Sequence, residues 1–480
     1  MNYETVMGLE VHVELLTESK LFCSCPAKFG ADPNENVCPA CSGMPGMPPR
    51  INKRAIELGM AAGLLTNCEI SSVTTFDKKN YFYPDLPTGH QITQMFAPTC
   101  TNGWVDIETD AGSKRITLKQ IHIEEDAGKL IHDTRTRSTL VDFNRASVPL
   151  IEIVSNPDFS TADEVTAYLN KLRSLLSFAG VSDCKMQEGS MRCDVNISVR
   201  EAGSDILGTR TEIKNMNSLK AIVRAIEYES QRHITALETG CEELVQETRR
   251  WDDDIGMSFS MREKEEAADY RYFPNPEILP IHIDESWIES VRSTLPEPAH
   301  ARFERMTGEL GLPEYDSGII TGSLNLCRIF DEVLKDVGKP KEVVNWIMGD
   351  LLSITKASGV SDDDIDIDCK KFAQVIKLVE DKTINRAVGK KVLVKVFDEG
   401  IDPKAYVEEN SLGMVSDTGF LETAISEVLA ENEKSVNEYR GGSQKVFGFI
   451  VGQVMKKTAG KADPKTVNEM LRKKLDGDPK

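Results

Sequence analysis

Three segments of the sequence alternate apolar and polar residues with a period of two, the pattern of β-strands that bury one face. They are EGSMRCDVNISVR (188–200), GLEVHVEL (8–15) and TRTEIKN (209–215). A solvated strand face usually carries scattered Lys, Thr and Glu, and that interpretation fits any one segment alone. Together the polar sides mix acids, an imidazole and cations: Ser190, Arg192, Asp194, Asn196, Glu10, His12, Glu212 and Lys214. The pattern predicts strands with one chemically rich face, and leaves open whether the strands meet.

Two further segments add carboxylates that need a positive partner. Glu152 is the only charge in the apolar run VPLIEIVS (148–155), and a buried carboxylate is costly unless it pairs or binds a metal. Glu124, Glu125 and Asp126 crowd the end of a strand-like segment before a glycine. Carboxylates with an imidazole are ligands of the kind that magnesium uses when it also holds nucleotide phosphates.

Cations among these acids extend the interpretation to a nucleotide. Lys79, Arg192 and Lys214 would face phosphate oxygens. The sequence contains no GxxxxGK[ST] loop, no GxGxxG turn after a strand and no kinase-type HRD or DFG set. ATP, if bound, would therefore lie on a sheet. An ordinary charged surface is the alternative for the same residues.

Four cysteines lie close together in a polar stretch, residues 21–43. Cys23 and Cys25 form one pair, and Cys38 and Cys41 form a second pair after a loop of twelve residues. Two such pairs are typical of a tetrahedral structural zinc site. Four reduced thiols without a metal are the alternative. Catalytic use is disfavoured because no histidine lies nearby in the sequence and a closed four-sulfur site leaves no open position.

Length and composition limit the class of protein. A chain of 480 residues is long enough for two or three domains. Eleven cysteines, an odd number, and the absence of a signal-like segment after Met1 favour a reducing cytoplasm. No apolar run is long enough to cross a membrane. The net charge of -20 argues against a generally basic nucleic-acid-binding surface.

The second half of the sequence has a helical pattern and a basic end. From about Leu295 the segments read as amphipathic helices. From Tyr439 onward there are ten basic and four acidic residues, a net charge of +6. The basic residues are Arg440, Lys445, Lys456, Lys457, Lys461, Lys465, Arg472, Lys473, Lys474 and Lys480, and the acidic ones are Asp463, Glu469, Asp476 and Asp478. The charge pattern alone favours a solvated lysine-rich helix end, with contact to an RNA backbone as the alternative.

An aromatic run follows two lysines in FDKKNYFYPDLPTGHQ (76–91). Tyr81, Phe82 and Tyr83 could present stacking rings to a nucleotide or to the end of a single-stranded RNA. Alternatively, the rings pack beneath a proline turn.

The motifs above resemble, in order, those of the GatB/GatE family, which includes the B subunits of aspartyl/glutamyl-tRNA amidotransferases. The resemblance covers VMGLEVHVELLTESKLFCSC, FDKKNYFYPDLPTGHQIT, IHIEEDAGK, VDFNRASVPLIEIVS, GSMRCDVNISVR, TEIKNMNS and MREKEEAADYRYFPNPEILP. It continues into the C-terminal half with VVNWIMGDLL, VSDTGFLETAISEVLAEN and GFIVGQVMKKTAGKADPKTVNEMLRKKL.

The resemblance implies an α+β fold in three parts. An antiparallel-sheet cradle similar to glutamine synthetase is expected over 1–292, with the zinc knuckle at 21–43. An all-α helical domain is expected over 293–408, and a basic, YqeY-like helical domain over 409–480.

The resemblance also implies an activity and a set of site residues. The side-chain carboxylate of Glu-tRNA(Gln) or Asp-tRNA(Asn) is phosphorylated by ATP with Mg²⁺, and ammonia derived from glutamine then displaces the phosphate. The catalytic residues are predicted to be Glu10, His12, Lys79, Glu125, Glu152 and Arg192. Magnesium ligands are predicted among Glu10, His12, Glu124, Glu125 and Glu152, with Glu124, Asp194 and Glu212 beside these ligands or around a second ion. Phosphate or acyl-phosphate contacts are predicted for Lys79, Ser190, Arg192, Asn196 and Lys214, and the nucleotide-binding set also includes Asp194 and Glu212.

The source of ammonia implies partners. The sequence carries no Ser-Ser-Lys amidase signature and no cysteine nucleophile elbow. The resemblance implies that the A subunit, which is an amidase (glutaminase), supplies the ammonia and that the small C subunit joins the complex on misacylated tRNA. The alternative is a non-catalytic tRNA-binding scaffold for the glutaminase.

Overall fold

The fold was analysed in a computed structural model, which describes residues 3–133, 135–263, 269–413, 418–441, 443–458, 462 and 464–476. The described residues form two compact units, Met1–Glu297 and Pro298–Lys480. The fold is mixed α+β, with one large sheet in the first unit and helices throughout the second. The division into 1–292, 293–408 and 409–480 stays a prediction.

The strands are β1 Tyr3–Glu14, β2 Glu69–Ile70, β3 Val73–Thr74, β4 Asp77–Asn80, β5 His90–Thr93, β6 Cys100–Thr109, β7 Gly112–Glu125, β8 Lys129–Asp133, β9 Ser138–Asp142, β10 Pro149–Ser155, β11 Met191–Glu201, β12 Thr211–Lys214, β13 Glu247–Asp252, β14 Met257–Glu263, β15 Phe273–Pro274 and β16 Ile281–His282. The α-helices are α1 Lys53–Leu65, α2 Ala162–Phe178, α3 Leu219–Thr239, α4 Glu285–Thr294, α5 Ala299–Glu304, α6 Glu314–Thr321, α7 Leu324–Val337, α8 Pro340–Trp346, α9 Leu352–Ser358, α10 Cys369–Glu380, α11 Arg386–Glu399, α12 Pro403–Glu409, α13 Thr418–Glu431, α14 Glu433–Arg440, α15 Phe447–Lys457 and α16 Pro464–Asp476.

The large sheet has the strand order β14-β13-β12-β11-β1-β10-β7-β6-β2. Neighbouring strands run antiparallel except β12 and β13, which are parallel. The three segments with period-two alternation all lie in this sheet, as β1, β11 and β12, so the strand prediction is confirmed. β1 and β11 are direct neighbours along eleven paired positions, from Tyr3↔Glu201 to Val13↔Met191.

One face of this sheet forms the core of the first unit. Leu9 and Val11 of β1 are buried, and α2 and α3 pack against this face. Burying each such side chain contributes about 1.5–3 kcal/mol. Both helices begin at a hydroxyl cap: Thr161 accepts the Glu164 N–H (3.2 Å), and Ser218 accepts the Ala221 N–H (3.1 Å). With one face covered by helices, the other is left to polar side chains.

The second unit is built from α5–α16, in agreement with the helical pattern of the sequence. Helices α13–α16 pack around their own apolar cluster, which includes Ile425, Ile450 and Leu471. On its surface, Lys457 pairs with Glu427 (2.9 Å) and Glu431 (2.6 Å). Lys461, Asp463, Asp478 and Lys480 of the predicted basic end lie outside the described residues. None of the described helices combines the length and apolarity needed to cross a membrane.

Candidate active site

The register of the large sheet brings the polar side chains of four strands together. His12 of β1 lies between Arg192 of β11 and Glu152 of β10, and Glu152 is paired in turn with His122 of β7. Directly paired residues of antiparallel strands project from the same face. The polar sides of β1, β7, β10 and β11 therefore form one surface.

Ligand-type atoms of His12, Glu124 and Glu152 lie within 4.8 Å of one another. The His12 Nε2 atom is 3.5 Å from a Glu152 oxygen and 3.8 Å from a Glu124 oxygen. His122 adds a second imidazole, with Nε2 at 3.0 Å from the same Glu152 oxygen. Burial lowers the pKa of His122, but Glu152 and Glu124 outweigh it and raise the pKa to about 10. The carboxylates therefore create a strong local preference for positive charge.

A second group lies beside the first and contains Glu10, Asp194 and Glu212, again with ligand-type atoms within 4.8 Å. Burial, followed by the charges of Glu152 and Glu212, raises the pKa of Glu10. Lys214 partly relieves this repulsion through ion pairs with Asp194 and with Glu212 (3.2 Å).

Neutral donors hold two of these carboxylates in place. The Asn196 amide donates to a Glu10 oxygen (3.0 Å), and the Thr248 hydroxyl donates to a Glu212 oxygen (2.8 Å). Such hydrogen bonds orient carboxylates before an ion arrives.

Both groups fit divalent cations that prefer oxygen ligands. Magnesium binds its ligands at about 2.0–2.1 Å in an octahedron, which separates ligand atoms by roughly 3–4 Å. The spacing within each group is compatible with that geometry after small side-chain movements. Carboxylates with one imidazole also match the donor preference of magnesium or manganese.

Glu125 does not join either group. Its carboxylate accepts the Ile92 N–H (2.9 Å) and lines a cavity of about 410 Å³ that also borders Cys41 and Lys78. Burial raises the pKa of Glu125 to about 7 despite the hydrogen bonds that it accepts from Ile92 and Ser147. Of the two adjacent glutamates, Glu124 is the one that the structure brings to the polar face.

The predicted phosphate contacts are placed differently from one another. Arg192 donates to Asp126 (2.6 Å) beside His12 on the polar face. The Lys79 ammonium lies 4.8 Å from the ring centroid of Tyr270. The Ser190 hydroxyl is instead held in a turn, where it accepts the Lys185 N–H (2.8 Å) and donates to Asp183.

The four clustered cysteines converge as a tetrahedral metal site would require. The sulfurs of Cys23, Cys25, Cys38 and Cys41 lie within 4.8 Å of one another, and Cys38 and Cys41 are 3.8 Å apart. A zinc–sulfur distance of about 2.3 Å gives a tetrahedral edge of about 3.8 Å. The Cys38 N–H also points at the Cys41 sulfur (3.2 Å), so this cluster could bind zinc.

Comparison with known proteins assigns the chain to a family. The model of the GatB/GatE catalytic domain matches residues 5–289, and the model described as GatB domain matches residues 328–475. The chain belongs to the GatB/GatE family. The B subunit of an aspartyl/glutamyl-tRNA(Asn/Gln) amidotransferase from Lachnoclostridium phytofermentans is 51% identical over 98% of this chain and 99% of its own length. A protein of the same name from Caldicellulosiruptor bescii is 50% identical over 99% of this chain and its own full length.

The structure of this GatB/GatE-family chain adds site residues that sequence reasoning missed. His122 stands two residues before Glu124, so the same period-two rule could have placed it on the polar face. Thr248 carried no such signal because ETRRWD (247–252) has no clear alternation, and its contact with Glu212 depends on the pairing of β12 with β13.

Proposed function

We propose that this chain carries out the ATP-dependent step within an aminoacyl-tRNA amidotransferase. The relatives are named as B subunits of aspartyl/glutamyl-tRNA(Asn/Gln) amidotransferases, and their similarity over nearly the whole length of the chain supports this proposal. ATP would phosphorylate the side-chain carboxylate of Glu-tRNA(Gln), Asp-tRNA(Asn) or both, releasing ADP. Ammonia from glutamine would then attack the carbonyl carbon, phosphate would leave, and the amide would remain on the tRNA.

The observation that carries the proposal is the presence of two clusters of potential metal ligands on one face of the sheet. Transfer of a phosphoryl group requires neutralisation of negative charge at both the nucleotide and the carboxylate. Magnesium bound at these groups would supply that charge. His12, Glu124 and Glu152 would hold one ion, and Glu10, Asp194 and Glu212 would hold a second.

The remaining polar residues are proposed to orient the substrates. Lys214, already beside Asp194 and Glu212, would turn its ammonium to a phosphate oxygen. Arg192 and Asn196 flank the two metal groups and would contact the transferred phosphoryl group. Lys79 of β4, whose ammonium lies over the Tyr270 ring, would turn to a phosphate oxygen, and Ser190 would need to release Asp183 before it could bind a phosphate.

The finer details of the fold belong to the same proposal. The antiparallel face that carries the acids supports a cradle of the glutamine-synthetase type over 1–292. The cysteine cluster is proposed to be a structural zinc knuckle, since a closed four-sulfur site leaves no position for a substrate. Four reduced thiolates suit a cytoplasmic protein.

The partners follow from the chemistry. The proposed reaction consumes ammonia, which the A subunit, as the amidase, would release from glutamine. The small C subunit would belong to the same complex, with misacylated tRNA as substrate.

A non-catalytic tRNA scaffold is the second candidate. The two clusters of potential metal ligands favour catalysis, because a scaffold that only binds tRNA does not require six ionisable side chains on one surface.

The test is transamidation by the reconstituted complex. Purified chain, partner subunits, ATP, magnesium and glutamine are incubated with Glu-tRNA(Gln), and the amino acid released from the tRNA is identified. The proposal expects ATP-dependent formation of glutamine that requires this chain. Conversion that continues without ATP, or without this chain, would contradict it.

A further inference from the structure

One lysine is completely buried beside the four-cysteine cluster. Lys20 precedes the first cysteine pair by three residues, and none of its surface is exposed. Lysine is almost never fully buried unless its ammonium has a partner, because removing an unpaired charge from water is costly. Among the described residues, this ammonium pairs with no carboxylate and donates instead to a sulfur and to a carbonyl oxygen.

The sulfur belongs to Cys41, the last of the four cysteines. The Lys20 Nζ atom lies 3.6 Å from the Cys41 Sγ atom and 3.0 Å from the carbonyl oxygen of Phe143. The Cys38 N–H donates to the same sulfur at 3.2 Å. Cys41 is buried, whereas the other three cysteines of the cluster are partly exposed. The positive charge therefore lies on the buried side of the cluster.

The backbone of Lys20 is held by the first cysteine pair. Its N–H donates to the Cys25 carbonyl oxygen (2.9 Å), and the N–H of the next residue, Leu21, donates to the Ser147 carbonyl oxygen (2.8 Å). Lys20 is thus bonded to the first pair through its backbone at Cys25 and to the second pair through its side chain at Cys41. Hydrogen bonds of the protein itself therefore bring the two cysteine pairs together.

The charge of a zinc–thiolate site explains why a cation belongs at this position. Four thiolates around Zn²⁺ leave an excess of negative charge, which is costly to bury without compensation. Groups that donate hydrogen bonds to metal ligands also orient those ligands, and their loss typically lowers metal affinity about 10–100-fold. Lys20 supplies both a positive charge and a hydrogen bond, whereas the Cys38 N–H supplies a hydrogen bond alone.

We propose that Lys20 is a positioning residue of the cysteine cluster, whose ammonium offsets the negative charge of the thiolates and holds Cys41 in place for zinc. This inference rests on the proposed zinc knuckle and adds a residue that is not one of its ligands. Through the Phe143 carbonyl, the same ammonium fastens the knuckle to the segment 143–148, which leads into β10. Removal of the charge should therefore weaken zinc binding.

The experiment measures the zinc affinity of the full-length chain by equilibrium competition with a chelator. Lys20→Met keeps the length of the apolar stem but removes the charge, and its dissociation constant for zinc should rise about 10–100-fold. Lys20→Arg keeps the charge and should recover part of this loss. Lys28→Met is the matched control, because Lys28 is an exposed lysine of the same loop. This control should bind zinc as tightly as wild type.

Cobalt bound in place of zinc gives a readout that a general loosening of the loop would not move. The sulfur-to-cobalt charge-transfer band reports the energy of the thiolate electrons, which a nearby positive charge lowers. The band should therefore shift to longer wavelength in Lys20→Met and stay unchanged in Lys28→Met. Should Lys20→Met not fold, the neutral variant Lys20→Gln provides the same comparison.

Equal zinc affinity in Lys20→Met and Lys28→Met would overturn the inference. A loss of affinity that Lys20→Arg does not reduce, or that leaves the cobalt band unchanged, would also overturn it, because packing and not charge would then be responsible. Transamidation by the wild-type complex is measured in the same series. A wild type that transamidates but binds no zinc would contradict the zinc knuckle and this inference, whereas a zinc-binding wild type that does not transamidate would contradict only the proposed reaction.

Discussion

A buried network of ion pairs behind the sheet should determine how rigidly the second ligand cluster, Glu10, Asp194 and Glu212, is held in place. Glu229 of α3 is completely buried, and its carboxylate accepts from Arg232 Nε (2.9 Å) and from the Ser258 hydroxyl. It also forms an ion pair with Arg249 (3.2 Å), whose Nε donates to the Ser258 hydroxyl oxygen (2.7 Å). Arg249 and Ser258 lie on β13 and β14. The network therefore fastens α3 to these strands on the side opposite the polar face, directly behind Thr248.

Glu229→Ala should loosen this region by an amount that the structure allows us to estimate. Removing one member of a buried ion pair costs about 3–5 kcal/mol, mainly because the remaining charges stay buried without a partner. Arg249 keeps a second acceptor in Glu247 (2.6 Å), and Arg232 keeps Glu242 (2.6 Å). We therefore expect the lower end, ~3 kcal/mol, which corresponds to a factor on the order of a hundred in a local opening equilibrium.

Amide hydrogen exchange measured by mass spectrometry checks this estimate. Exchange of the β12–β14 amides should accelerate roughly a hundredfold in Glu229→Ala, and less in Glu229→Gln, which keeps an acceptor. Glu227→Ala is the matched control, because Glu227 lies two residues away on the exposed side of α3. Since Thr248 orients Glu212, half-maximal activity should also require more magnesium in Glu229→Ala. An exchange rate within about threefold of the Glu227→Ala value would show that Glu229 does not hold these strands in place.

Three further predictions concern pH, zinc and the position of Glu125. Burial and the charge of Arg232 lower the pKa of His233 from its ordinary 6.5 to about 4. As the pH falls, His233 is therefore protonated in the unfolded chain before it is protonated in the folded protein. Stability should then fall by ~3 kcal/mol as the pH drops from about 6.5 to 4, and His233→Asn should show a smaller fall in urea titrations at several pH values. Cys41→Ser should lose about one equivalent of zinc by elemental analysis and should speed hydrogen exchange in 28–36, while Cys241→Ser, an exposed thiol elsewhere, should do neither. Glu125→Gln should leave the magnesium concentration for half-maximal ADP formation unchanged, whereas Glu124→Gln should raise that concentration at least about tenfold. Equal effects of the two substitutions would indicate that Glu125 also binds the metal.

Local alternation was sufficient to predict the face that carries the site. β1 and β11 each place their acids on one side and their apolar residues on the other, and this pattern requires no knowledge of neighbours. The same rule separates Glu124 from Glu125, because Ile121 and Ile123 share the side of Glu125. Three adjacent acids at the end of a strand hid this distinction, since crowding alone does not show which carboxylate faces which side.

Contacts between distant segments could not be predicted in this way. The pairing of Glu212 with Thr248 requires β12 and β13 to lie parallel, with α3 as the connection between them. Likewise, Asn34 near the cysteine cluster exchanges hydrogen bonds with Asp142 and Phe143, more than a hundred residues away, which sets the loop against the β8–β9 hairpin. These contacts depend on tertiary packing that a period-two or helical pattern does not encode.

Formation of ADP in the absence of glutamine would show whether the ligand clusters on the sheet face carry out the ATP-dependent step. The complex is given ATP, magnesium and Glu-tRNA(Gln), and wild type is compared with Glu152→Gln, with tRNA binding measured in parallel. Glu4→Gln is the control, because Glu4 lies at the far end of β1, where it pairs with Arg200 (3.2 Å). We expect Glu152→Gln to bind tRNA normally but to form ADP at least about a hundredfold more slowly, and we expect Glu4→Gln to resemble wild type. Full ADP formation by Glu152→Gln would contradict this expectation and would favour the scaffold.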